Sequence, residues 1–72
     1  MGEPEMEYVD SSNIEAIGYD EDARELWIRF ISSGTYVYSD VPPGAYDDIM
    51  RADSKGSYLN REVKPNYASR PA

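Results

Sequence analysis

The chain has 72 residues and a net charge of −7, from fourteen acidic and seven basic side chains, with neither cysteine nor histidine. That size allows one domain, which buries only roughly 60–65% of the surface its unfolded chain exposes, so every large apolar side chain counts. The missing Cys and His exclude disulfides, Cys/His zinc sites and catalysis by a thiolate or an imidazole, while the acidity opposes a generic polyanion binder.

Residues 1–10 hold Glu3, Pro4, Glu5 and Glu7 among few apolar side chains and read as a mobile acidic lead-in, with Tyr8 and Val9 pinning its end. The polar cluster Ser11-Ser12-Asn13 is a turn, and a strand is expected from Ile14 to Tyr19. After the charged turn Asp20-Glu21-Asp22-Ala23, the segment Glu25–Ile31 alternates large apolar and aromatic residues and is the strongest strand signal. Ser32-Ser33-Gly34 reads as a hairpin turn and Thr35–Ser39 as a third strand. Val41-Pro42-Pro43-Gly44 ends the sheet, since proline cannot donate to a ladder, and opens a helix. Ala45, Tyr46, Ile49 and Met50 form its apolar stripe, with Asp47 and Asp48 expected in its first turns. Asp53-Ser54 caps a second helix from Lys55 to about Lys64, which Pro65 ends; residues 69–72 read as a tail. The fold expected is thus α+β: a small antiparallel three-stranded meander followed by two short helices packed on one sheet face. The folded domain is expected over residues 11–68.

One ambiguity decides the surface. A two-residue Ser33-Gly34 turn would pair Phe30 with Val37 and place Tyr36 and Tyr38 beside Trp27 on a solvent-facing platform. A three-residue Ser32-Ser33-Gly34 loop would pair Phe30 with Tyr36 and send both tyrosines toward the core. The shortage of apolar volume favours the second arrangement, and the sequence leaves the first open.

Few motifs carry chemistry. Asp20, Glu21, Asp22 and Glu25 lack the spacing of a calcium loop and read as a solvated turn, so no metal and no cofactor are expected. Asp47 and Asp48 are adjacent on a helix and point apart, and so small a core offers no sheltered pocket for acid–base work; the chain reads as non-catalytic. Ser54-Lys55-Gly56-Ser57 is the best small-anion candidate, because a helix N-terminus presents free N–H groups, but a capping turn that docks the second helix is the favoured reading. Asn60, one turn later, reaches either that turn or a ligand. The charge is uneven: residues 1–50 carry twelve acids and two bases, residues 51–72 two acids and five bases.

The ordered set Ser11-Ser12, Gly18-Tyr19-Asp20, Leu26-x-Ile28-x-Phe30, Gly34, Tyr36-Val37-Tyr38, Val41-Pro42, Tyr46, Ala52, Ser54-x-Gly56-x-Tyr58-x-Asn60 and Tyr67 resembles the KTSC domain. That family takes its name from the C-terminus of some lysyl-tRNA synthetases and also occurs as free-standing small proteins of bacteria and phages. The resemblance implies a binding module with a link to RNA, and the positions matching the family pattern are Tyr36, Tyr38, Ser54, Gly56, Tyr58 and Asn60.

The function expected is therefore weak binding of single-stranded RNA or tRNA. Trp27, Tyr36 and Tyr38 would stack bases, and Lys55, Arg61 and Lys64 would contact phosphates. The alternative is a protein–protein interaction module in a bacterial or phage complex. With no apolar run of ~20 residues, a membrane is not an expected partner and the cytoplasm is the expected location. The chain is expected as a monomer or weak homodimer.

Overall fold

The Glu25–Phe30 alternation forms the centre of a five-stranded antiparallel sheet in the computed structural model, which describes residues 2–72. Met1, the start of the expected lead-in, lies outside the described residues. The strands are β1 (Met6–Tyr8), β2 (Ile14–Asp20), β3 (Glu25–Phe30), β4 (Gly34–Tyr38) and β5 (Ser69–Pro71), and their order across the sheet is their order in the chain. The expected three-strand meander is thus β2–β4, and the correction is one strand at each edge. Those edges fall in the stretches expected as lead-in and tail. Neither carries a burial signal, because both are short and every residue in them but the half-buried Met6 is exposed.

The register resolves the tyrosine question. Phe30 pairs with Gly34, Ile28 with Tyr36 and Leu26 with Tyr38, so Ile31-Ser32-Ser33 form the loop and Gly34, at φ +87°, opens the strand. Both tyrosines therefore share the face of Leu26, Ile28 and Phe30, as the three-residue loop requires, although the pairing lies two residues from the one expected. Tyr38 is 4% exposed and Tyr36 half-buried. In β2 the ladder steps from Ile14↔Phe30 to Ala16↔Arg29, a bulge at Glu15. That extra residue lets Ile14 and Ile17, three apart in sequence, both point into the core.

Two helical segments cover this face. Helix α1 (Pro43–Arg51) starts with proline in its first turn and buries Ile49, with Ala45, Tyr46 and Met50 packed beside it. Asp47 and Asp48 lie beyond its first turn, where the dipole has faded, so the expected dipole contribution is absent. Helix α2 (Lys55–Tyr58) continues into a wider π turn (Leu59–Val63), in which Leu59 and Val63 are both buried. The expected single helix through Lys64 is therefore split by a change of pitch. The Lys64 N–H donates to the Leu59 carbonyl at 2.8 Å, five residues back, and so sets the direction of the last turn.

The connection from β4 to α1 is tied down at Val41. Its N–H donates to the Arg24 carbonyl at 2.9 Å, and its own carbonyl accepts from the Tyr19 hydroxyl. Tyr19 also stacks on Tyr46, with ring centroids 5.2 Å apart.

The opposite face carries Ala16, Gly18, Trp27, Arg29, Val37 and Arg70. The N-terminal segment crosses it at Gly18: a Cβ there would lie 2.5 Å from Met6 Sδ, 2.8 Å from the Glu5 carbonyl oxygen and 3.2 Å from Pro4 Cγ. Arg29 pairs with Glu3 and, at 3.9 Å, with Glu15. Arg70 pairs with Glu25 at 2.8 Å and donates to the Ser39 hydroxyl at 3.2 Å.

Candidate functional site

Three adjoining clefts open on the helix-bearing side. The first, of about 510 Å³, lies between the β3–β4 loop, β4 and the end of the π turn; Asn13, Phe30, Ser32, Tyr36 and Lys64 define it. Phe30 and Tyr36 meet edge-to-face with centroids 6.0 Å apart. The Lys64 ammonium sits 5.6 Å from the Phe30 ring centroid, an attraction between cation and ring quadrupole. Among the described residues no carboxylate lies within ion-pair distance of Lys64. The cleft therefore combines a fixed aromatic wall with an unneutralised cation.

The second cleft, of about 400 Å³, is polar: Asn13, Ser54, Lys55, Gly56, Asn60 and Asp53 are on its walls. Its geometry answers the question left at Ser54. The Ser54 hydroxyl oxygen accepts from the Ser57 N–H at 3.3 Å, and Lys55 Nζ donates to the Ala52 carbonyl at 3.0 Å. Both groups are used to cap the chain locally, so the capping role is the one the geometry displays. Gly56 is buried because Asn13 lies against it: a Cβ would come within 2.6 Å of Asn13 Oδ1. Asn60 stands exposed on the rim.

The third cleft, of about 520 Å³, contains Arg51, Tyr58 and Arg61 with Asp48 and Asp53. The Arg61 guanidinium is 5.9 Å from the Tyr58 ring centroid and pairs with Glu62 at 3.1 Å. Partial burial, then the charges of Asp48 and Glu62, push the Tyr58 hydroxyl above its usual pKa. Asn13 is common to the first two clefts, and Asp53, Ser54 and Ser57 to the last two.

The residues expected to bind thus divide. Tyr36, Tyr38 and Lys64 come together, Ser54, Lys55, Gly56 and Asn60 line the neighbouring cleft, and Tyr58 with Arg61 the third. Trp27 does not join them. It pairs with Gly18 and Val37 on the opposite face, and its indole N–H is buried without a partner among the described residues. A platform of Trp27, Tyr36 and Tyr38 is therefore ruled out by register, and Tyr38 is too enclosed to stack a ligand. Several lining residues were not expected to bind, among them Phe30, Asn13 and Arg51. Phe30 reads as core from its alternation with Leu26 and Ile28, and Asn13 reads as a turn residue.

Among the described residues no cluster of metal-ligating side chains occurs, and no helix is long and apolar enough to cross a membrane. These features define a small α+β domain with open clefts between one end of its sheet and its helical cover. The chain belongs to the KTSC domain family, which it matches over residues 10–67. It is 45% identical over 62 residues to a protein of Tsukamurella paurometabola, covering 86% of this chain and 92% of that one. It is 33% identical over 58 residues to a lysine–tRNA ligase of Nostoc punctiforme, covering 81% of this chain and 10% of the ligase. The crystal structure of a KTSC domain protein from Yersinia pestis superposes with a TM-score of 0.92 at 40% identity, over 94% of this chain and 96% of that one.

Proposed function

We propose that this domain is a non-catalytic, cytoplasmic binding module that takes a short single-stranded RNA segment along the helix-bearing side. The observation that carries the reading is the first cleft, where Lys64 is held over Phe30 beside the half-buried Tyr36 without a carboxylate partner. A base docks against the exposed parts of those rings, and the adjacent phosphate meets the ammonium. The strand then runs past Asn13 toward Tyr58, Arg51 and Arg61 in the third cleft. The similarity to part of a lysine–tRNA ligase supports a partner of this class.

Charge keeps the interaction weak. Asp10 and Asp53 line the middle cleft and oppose a phosphate there, and Lys55 is turned back onto the Ala52 carbonyl. Lys64 and Arg51, neither of them ion-paired among the described residues, remain as the main phosphate contacts, while Arg61 is shared with Glu62. At roughly 0.7 per phosphate on a single strand, the slope of log affinity against log salt is about −1.4, rather than the about −2 that three contacts would give.

The test is a backbone amide NMR titration with mixed short single-stranded RNA and bulk tRNA at low and then physiological salt. Shifts confined to Ser32–Tyr36, Arg51 and Asn60–Lys64 that weaken with salt, and that shrink in Lys64→Gln, are the expected result. A spectrum unmoved at low salt would end the RNA reading and make this face a candidate for docking a protein.

A further inference from the structure

Asn13 is common to the first two clefts, and local hydrogen bonds determine the orientation of its side chain. The Ser11 hydroxyl oxygen accepts from the Asn13 N–H at 3.4 Å and the Ile14 N–H at 3.2 Å, which occupies both of its lone pairs. Its own proton is therefore donated, and it goes to Asn13 at 3.1 Å; the atom receiving it must be the carbonyl oxygen Oδ1. On its other side Oδ1 lies against Gly56, where even a methyl group would stand 2.6 Å from it. The amide is thus set with Oδ1 toward the protein. Nδ2, lying farther from Gly56, donates to no atom of the described residues, so two N–H donors stay free on a side chain that lines both clefts.

Resting on the RNA reading above, we infer that Asn13 selects the base in the first cleft and prefers a carbonyl-bearing edge, guanine or uracil, over adenine. A base edge there meets the two N–H donors of the Asn13 amide, while the Lys64 ammonium holds the adjacent phosphate. Guanine offers O6 and N7 as adjacent acceptors, and uracil offers O4. Adenine also offers N7 but puts an N6 amino group where guanine has O6, donor against donor, and the amide cannot flip to accept it without breaking the bond from Ser11. The serine hydroxyls of the β3–β4 loop rotate to suit either base and carry no selection.

The experiment compares hexaadenosine with the same hexamer carrying one central inosine, which replaces the C6 amino group by a carbonyl. The wild-type chain should bind the inosine hexamer about five- to tenfold more tightly, as one satisfied against one opposed hydrogen bond requires. The extra shifts should fall on Asn13, Ser32 and Lys64. Asn13→Asp keeps an acceptor for Ser11 and replaces both donors with an oxygen, so the preference should vanish or invert while both affinities fall. Ser11→Ala, which releases the amide to flip, should reduce the preference with binding retained. Equal affinity of the two hexamers for the wild-type chain, or an unchanged ratio in Asn13→Asp, would overturn the inference and leave the RNA reading standing. If no RNA of any sequence binds, it is the RNA reading that fails, and this inference goes with it.

Discussion

The two faces of the sheet are closed by different means. The helix-bearing face is sealed by interlocking aliphatic side chains, with Ile14, Ile17, Leu26, Ile28, Ile49 and Leu59 all fully buried. The opposite face carries Trp27 and Val37 and is closed in part by a strap of chain across Gly18 and by arginine–glutamate pairs at the rim. The first closure depends on dispersion and the hydrophobic effect, which salt does not weaken. The second depends partly on exposed charges, which salt screens. On the first face a cleft holds Lys64 with no carboxylate in ion-pair distance among the described residues, whereas on the second Arg29 and Arg70 are neutralised.

The difference is testable, beginning with its largest expected effect. Ile28→Ala removes a fully buried side chain from the centre of the helix-bearing face and should cost about 2–5 kcal/mol, read from a chemical denaturation midpoint. For a domain of this size that is much of the total stability. Gly18→Val attacks the other face. Its side chain must displace the Glu5 carbonyl and Met6, which should cost about 1–3 kcal/mol and shift the emission of Trp27, the only tryptophan, to longer wavelength. An unshifted emission would mean that the strap does not shield the indole.

The third prediction uses pH. Burial raises the Tyr38 hydroxyl above its ordinary pKa of 10.0, with a smaller contribution from Tyr36. A group whose folded pKa is raised binds its proton more tightly in the folded state. Its stabilisation is complete below the unfolded pKa and is lost as pH rises from there through the folded value. Stability should therefore be flat with respect to this group at neutral pH and fall above about pH 10, and Tyr38→Phe should make that alkaline limb less steep. The rest of the limb comes from Tyr19, Tyr46 and Tyr58, whose hydroxyl pKa values burial also raises. The smallest effect should come from Glu3→Gln. It removes an exposed ion pair with Arg29 and should alter the Trp27 emission slightly at low salt and not at high salt.

The helix-bearing face was the legible one. Leu26, Ile28 and Phe30 announce it by alternation, and Ala45, Tyr46, Ile49 and Met50 by helical spacing, because burial repeats at the period of the element. The edge strands were not legible. Met6–Tyr8 stands among acidic residues, and Ser69-Arg70-Pro71 contains a residue that cannot donate to a ladder, so both read as flanking chain. Register was legible only as a choice between two parities, since Gly34 serves equally as a loop residue or as the first residue of β4. The candidate site was half visible. Lys64 and Tyr36 could be named, but Asn13 acquires its position only when the fold brings it against Gly56, a proximity that no local pattern encodes. Trp27 was assigned to the wrong company for the same reason: an exposed-looking aromatic in a strand does not state which partner segment lies over it.

The agreement between chain order and sheet order has a consequence for how the molecule assembles. Strands β1 to β4 each pair with the segment just before or after them, so the ladder can grow hairpin by hairpin with short loop closures and a small entropic barrier. Strand β5 is the exception. Ser69 meets Tyr38 only after the whole helical stretch has turned back on itself. Until that happens the outer edge of β4 has no partner, with its N–H and C=O groups open to the edge of another unfinished copy. The three residues Ser69–Pro71 thus act late in folding as the closure of an edge that would otherwise invite aggregation. Chains truncated before Ser69 should show that hazard in their refolding yield at high concentration.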